Sequence, residues 1–236
     1  MQNITQFENL GIIDYKKGWD YQEKLFDETI LIKTHNRDYP NDIKSTTHRL
    51  LFCEHPHVFT LGKSGAPSNL LITDELLKEI DAVFYKINRG GDITYHGPGQ
   101  IVGYPIFDLE AMHLGIKEYI HKLEEAVILT LQEYGIASTR LDDATGVWLD
   151  TDQPEKTRKI CAIGVRASRY VSMHGFAFNV NTNLDYFRYI HPCGFIDKGV
   201  TSLQKELGRE VDMKEVQERL LKHITELFQL EVMGHL

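Results

Sequence analysis

Apolar residues recur at helical spacing in three stretches of the chain. The clearest spans about 114–134, where Ile116, Tyr119, Ile120, Leu123, Val127, Leu131 and Tyr134 share a face and Gly135 supplies the stop. A second, 212–229, presents Met213, Val216, Leu220, Ile224, Leu227 and Phe228 inward. A third, 18–33, places Trp19, Leu25, Phe26 and Ile30 together. A short helix over 73–80 takes Thr73 as its N-cap. Between these lie short apolar runs that read as strands: 48–54 and 57–62, separated by Pro56, then 83–88, 101–109 and 146–150. The runs 159–168 and 172–181 predict a hairpin, preceded by the polar turn TDQPEKTR. Strands outnumber helices and the two are intermixed. The pattern predicts an α+β fold: a mixed or antiparallel sheet flanked by helices. We expect one domain over 1–236, with 211–236 either packed on it or set apart as a small subdomain.

Length and composition narrow the class. A chain of 236 residues with 42% hydrophobic and 25% charged residues is ordinary for a globular protein. At that length folding buries roughly 70–75% of the extended-state surface, so a full core needs no staples. The formal net charge is −8, a poor match for a nucleic-acid binder. No apolar run approaches membrane-spanning length, and the first twenty residues lack the basic-then-apolar pattern of a secretory signal. Three cysteines, Cys53, Cys161 and Cys193, are an odd count with no export signal, which suits free thiols in a reducing, cytoplasmic setting.

The most unusual segment is RGGDITYHGPGQIVGYP, residues 89–105, with five glycines and two prolines. Glycine permits positive φ and close approach of the backbone to a ligand. No Gly-Lys-Ser/Thr follows, so it is not a P-loop, and no helix pattern opens on it, so it is not a dinucleotide fingerprint. Its plainest reading is a long irregular hairpin loop. Among the cysteines, Cys53 and Cys161 sit in apolar strand runs and read as buried side chains. Cys193 lies in Pro-Cys-Gly, a turn-like context open to solvent. Lys159 opens the run KICAIGV, and taken alone it reads as a solvated surface charge.

Four blocks in order carry a family resemblance. RGGDITYHGPGQ closely resembles the signature of the lipoyl(octanoyl) transferases. HPHVFTLGKSG (55–65), KICAIGVRASRYVSMHGFAFNVN (159–181) and HPCGFIDKGVTSL (191–203) resemble the family's other blocks, so the likeness covers most of 50–205. It implies the α+β fold of the biotin/lipoate protein ligase catalytic domain and a cytoplasmic octanoyltransferase. Cys193 is then the acyl-carrying nucleophile and Lys159 the residue that tunes it. Arg89, Gly90, Gly91, Asp92, Ile93, Thr94, Tyr95 and His96, with Ala162, Ile163, Gly164, Gly175, Phe176 and Ala177, line the acyl pocket. The implied donor is octanoyl-acyl carrier protein. The implied acceptors are lipoyl domains of 2-oxoacid dehydrogenase E2 subunits and of the glycine cleavage H protein. No cofactor, metal, nucleic acid or membrane is implied.

The chemistry suits these residue types. An unperturbed thiol is only about 3% ionised at pH 7, so a nearby lysine that takes its proton matters. The oxyanion formed at each transfer calls for backbone N–H donors, for which Gly90–Gly91 and Ala162–Gly164 are candidates. Burying an eight-carbon chain contributes roughly 5–6 kcal/mol before ordering costs. His96 either assists proton traffic or holds a structural hydrogen bond. Partners that are acidic ask for a local basic surface, with Arg158, Arg166, Arg169 and Lys198 as candidates. Four rival readings are weaker. Cys53, His55 and His57 alternate as metal ligands could, with His96 or His191, but without a supporting motif. An ATP-dependent lipoate or biotin ligase needs no cysteine and carries three adjacent glycines where this chain has two. A binding module would not need both Cys193 and Lys159. A cysteine hydrolase requires water at the acyl-enzyme.

Overall fold

A computed structural model describes residues 3–191 and 198–234. In chain order the elements are β1 (Asn3–Ile12), α1 (Tyr15–Asp38), β2 (His48–Glu54), β3 (Val58–Leu61), α2 (Asp74–Glu79), β4 (Val83–Lys86), β5 (Ile93–His96), β6 (Gln100–Ile106), α3 (Ile116–Glu133), β7 (Thr139–Leu141), β8 (Ala144–Leu149), β9 (Arg158–Ser168), β10 (Val171–Asn179), β11 (Gly199–Val200), α4 (Leu203–Leu207), α5 (Met213–Phe228) and β12 (Leu230–Met233). Short 3₁₀ helices occupy Pro67–Asn69 and Leu184–Tyr189.

The α+β expectation holds. The main sheet runs β12-β1-β2-β6-β10-β9-β8-β7, with β11 added beside β9. β1 is parallel to both β12 and β2, and every later pair along that path is antiparallel, so the sheet is mixed. Strand alternation explains the layering. On β2, Leu51 and Cys53 face α1 with Leu25, Phe26, Val102, Tyr104 and Ile106. Leu50 and Phe52 face the other way, into a larger core with Leu123, Val127 and Leu131 of α3 and Val216, Leu220, Ile224 and Phe228 of α5. Helices thus cover both faces. α5 packs directly on α3.

Local signals set the helix ends. Asp14 accepts from Lys17 N at the start of α1, and Thr73 from Leu76 N at the start of α2. Gly135, just past α3, takes φ +74°. Asn3–Ile12 form β1, whose polar and glycine content shows no strand pattern; parallel pairing on both sides holds it. One expectation is corrected. The glycine-rich segment is not a hairpin loop. It contains β5, and the strands around it part company: β4 and β5 flank β3 in a second, three-stranded sheet, while β6 belongs to the main one. The segment therefore bridges two sheets.

Candidate functional site

The wall of the site is the β9–β10 hairpin, in which Ala162 opposes Ala177, Ile163 opposes Phe176, and Gly164 opposes Gly175. Opposite lies the bridge between the sheets. Gly91 adopts φ +82°, and its carbonyl accepts from Ser64 N at 3.1 Å, so the turn folds back on the loop after β3. Gly175 permits a close strand approach: a Cβ there would sit 2.2 Å from Gly103 O. Between wall and bridge is a cavity of about 550 Å³. It is the size of a small-molecule site and mostly apolar.

Of the pocket residues expected from sequence, Arg89, Gly90, Gly91, Asp92, Ile93, Thr94 and His96 line this cavity, as do Ala162, Ile163, Gly164, Gly175, Phe176 and Ala177. Tyr95 does not. Strand alternation turns it to the other face of β5, where its hydroxyl meets His57 Nδ1 at 2.7 Å and its ring stacks on Tyr186. Asp92 acts on the loop itself: its carboxylate accepts from Asn69 Nδ2 at 2.7 Å and from Ile93 N at 2.6 Å. Gly90 N–H is spent on Val165 O at 2.9 Å, which removes it from the candidate oxyanion donors. Arg89 is buried, with Nη2 donating to Thr60 O at 2.7 Å and Thr60 Oγ1 at 3.0 Å.

Lys159 stands at one end of the cavity. A bulge aims it. Val147 opposes Cys161 and Trp148 opposes Lys159, so β9 carries one extra residue there. Its Nζ lies 4.4 Å from the centre of the Trp148 ring and 3.3 Å from Thr145 O. On its other side β11 pairs in parallel, Val200 opposite Lys159. Lys198, Gly199 and Val200 also line the cavity. Cys193 lies outside the described residues.

The opposite end carries groups that motif reading did not single out: Tyr15, Tyr104 and His174. Their placement depends on α1 and on strand pairing distant in sequence. Burial holds three histidines neutral: His55 is pushed down to about 4, and His96 and His174 to about 3. Cys53 and Cys161 are free and fully buried, and burial pushes both thiols up, so neither is a thiolate at neutral pH.

The remaining candidates separate. Arg158 makes a bidentate pair with Glu206 at 2.7 Å and also bonds Asp150, so its charge is answered within the fold. Arg166 lies over the Phe26 ring and Arg169 bonds Thr34. Only Lys198 of these four reaches the cavity. His55 is held by Ile13 O and Tyr104, away from any shared site with His57. Among the described residues no group of three His, Cys, Asp or Glu is arranged to hold a metal ion. Among the same residues, no helix is long and apolar enough to cross a membrane.

Residues 14–225 match the lipoyl protein ligase A/B catalytic domain. An octanoyltransferase of Christiangramia forsetii is 59% identical over 98% of this chain and 99% of its own. One from Bacteroides fragilis is 58% identical over 93% and 95%. Among solved structures, a bipartite lipoate protein ligase of Thermoplasma acidophilum aligns at TM-score 0.69 and 15% identity over 98% of this chain and 86% of that one. Biotin protein ligase of Aquifex aeolicus aligns at 0.51 and 15% over 95% and 70%. At such identities the likeness concerns the fold, which is that of the lipoate and biotin ligase catalytic domains. The chain belongs to the lipoyl protein ligase A/B catalytic domain family and, within it, to the octanoyltransferases.

Proposed function

We propose that this protein transfers an octanoyl group from octanoyl-acyl carrier protein to the ε-amine of a lysine on a lipoyl domain, through a thioester on Cys193. The observation that carries the reading is the apolar slot between β9–β10 and the glycine-rich bridge, with Lys159 at its end. Sequence supports the nucleophile: Cys193 is the cysteine of the Pro-Cys-Gly block. His191 lines a hollow that shares Phe187, Lys198 and Val200 with the cavity.

Each half-reaction balances with one proton carrier. Lys159, as the neutral amine, takes the proton of Cys193. The thiolate attacks the thioester carbon, the bond to the carrier sulfur breaks, and the Lys159 ammonium returns the proton to that sulfur. Exchange of one thioester for another is nearly balanced, so no ATP is consumed. The acceptor amine then attacks the Cys193 thioester. Lys159 takes a proton from the attacking nitrogen and gives it to the departing Cys193 sulfur, leaving an amide and a free thiol. The second half is downhill because an amide is more stable than a thioester. The Trp148 ring favours the ammonium that forms in each half and limits where it can sit. Donor and acceptor both approach at the Lys198 end.

The test is the intact mass of the protein after mixing with octanoyl-acyl carrier protein, without ATP or metal. A single octanoyl adduct, labile to hydroxylamine and absent in Cys193→Ala, is expected, and Lys159→Ala should form it far more slowly. Adduct formation that survives Cys193→Ala would reassign the nucleophile. No adduct, together with octanoate-dependent ATP consumption, would make the protein a ligase.

A further inference from the structure

Three of the sequence blocks contain polar residues that the proposed chemistry does not use. Gln100 closes Gly-Pro-Gly-Gln, Asn179 closes His-Gly-Phe-Ala-Phe-Asn, and Thr201 opens Thr-Ser-Leu. The fold joins them in one buried chain of hydrogen bonds. Asn179 Nδ2 is 3.0 Å from Thr201 O. Gln100 Nε2 is 2.9 Å from Asn179 Oδ1 and 3.1 Å from Tyr95 O. His96 Nδ1 is 2.9 Å from Gln100 Oε1, and His96 Nε2 is 3.4 Å from Thr60 Oγ1. Arg89 Nη2 closes the far end on Thr60 Oγ1 at 3.0 Å. All six side chains, from Arg89 to Thr201, are buried.

The direction of every bond follows from its ends. Thr201 O accepts only, so Asn179 must present its NH₂ there and its Oδ1 to Gln100. Gln100 must then donate from Nε2, which also faces the acceptor-only Tyr95 O. Its Oε1 is left for His96 Nδ1, which therefore carries the proton. Neutral His96 has a bare Nε2. Thr60 Oγ1 already accepts from Arg89, so its own proton is directed at that nitrogen. Both ring nitrogens of His96 are thus engaged, Nδ1–H with Gln100 and Nε2 with Thr60.

We infer that Arg89–Thr60–His96–Gln100–Asn179–Thr201 is a one-way positioning relay that clamps β11 beside Lys159. Its last member is held twice: Thr201 O by Asn179, and Thr201 N by Lys159 O at 2.9 Å. β11 pairs with β9 beside Lys159 and lines the cavity through Gly199 and Val200, so the relay fixes the wall next to that lysine. Gln100 and Asn179 also line the cavity, and the role assigned to them here is positioning. The kinetic consequence rests on the octanoyl-transfer reading; the geometry does not.

Asn179→Asp tests it. The carboxylate still accepts from Gln100 but has no donor for Thr201 O. Asn181→Asp is the matched control: Asn181 Nδ2 donates to Val211 O at 2.7 Å, two residues beyond Asn179 and outside the relay. Single-turnover acylation by octanoyl-acyl carrier protein is measured alongside the melting temperature. Asn179→Asp should lower the saturating rate about ten-fold or more, because a displaced β11 shifts the wall beside Lys159. Asn181→Asp should lose melting temperature to a similar extent and keep its rate. Should Asn179→Asp fail to fold, Gln100→Glu, which keeps the acceptor for His96 and loses both donors, is expected to show the same loss of rate and the same faster Thr201 exchange. Nitrogen-15 NMR of the wild type should show His96 neutral with the proton on Nδ1, and Thr201 amide exchange should accelerate in the relay variant. Equal rates in the two Asn→Asp variants, or a proton on Nε2 of His96, would overturn the relay. If the wild type forms no acyl adduct, the transfer reading falls, and the tautomer and the Thr201 exchange still decide the relay.

Discussion

Close approach of backbones shapes the cavity at single residues. Gly175 is the sharpest case, because a methyl group there would meet Gly103 O at 2.2 Å and Pro105 Cδ at 2.6 Å, both on β6, which pairs with β10. Gly175→Ala is therefore expected to destabilise the fold by about 1–3 kcal/mol, the usual range for overpacking. It should also push the β10 wall into the slot. Urea denaturation checks the first effect, and acylation with donors of six, eight and ten carbons checks the second, the longest losing most. The turn-like Pro-Cys-Gly context set Cys193 apart from Cys53 and Cys161, whereas Lys159 stood out from other lysines only through the motif blocks. Tyr95 was misplaced because a motif records adjacency along the chain, whereas a strand sends neighbours to opposite faces.

At the scale of elements, helical spacing was the dependable signal. α3 and α5 lie within a few residues of where their apolar repeats put them, because a buried stripe of period 3.6 has few alternatives. Their packing dominates their stability. Leu220→Ala, at a fully buried position of α5, should cost about 2–5 kcal/mol. Asp14→Ala, which removes the N-cap of α1, should cost about 1 kcal/mol. Equal losses in chemical denaturation would contradict the view that the core, rather than local capping, holds these helices. β1, β5 and β12 were not legible. They are short or polar, and the ladders that stabilise them come from residues far away in sequence.

Across the whole molecule, buried titratable groups bound the pH range. His55, His96 and His174 stay neutral in the fold, with protonation near 4, 3 and 3 against 6.5 when unfolded. A depressed histidine favours the unfolded chain only once that chain takes up the proton. Stability is thus full above about 6.5 and falls below it, by up to about 1.4 kcal/mol per pH unit for each histidine. Cys53 and Cys161 act at the other end. Their thiols are raised by burial, so their contribution is present below the ordinary thiol value and lost as pH rises above it. The urea midpoint should be flat near pH 7–8, fall steeply between 6.5 and 4, and decline again above about 9. A midpoint that holds steady to pH 4.5 would mean that the three imidazoles are not buried as neutral rings.

Composition, periodicity and four motif blocks determined the α+β class, the main helices, the hairpin and the family, because each is written locally or in short fixed spacing. Of the pocket residues they named, all but Tyr95 line the cavity. Only the tertiary structure decided that the glycine-rich segment bridges two sheets, that Gly90 N–H is already spent, and that Arg158 is neutralised by Glu206. It alone brought Gln100, Asn179 and Thr201 into one hydrogen-bonded line. These outcomes depend on strand register and on which backbone groups remain unpaired after the sheet forms, and neither is encoded in any contiguous stretch of the chain.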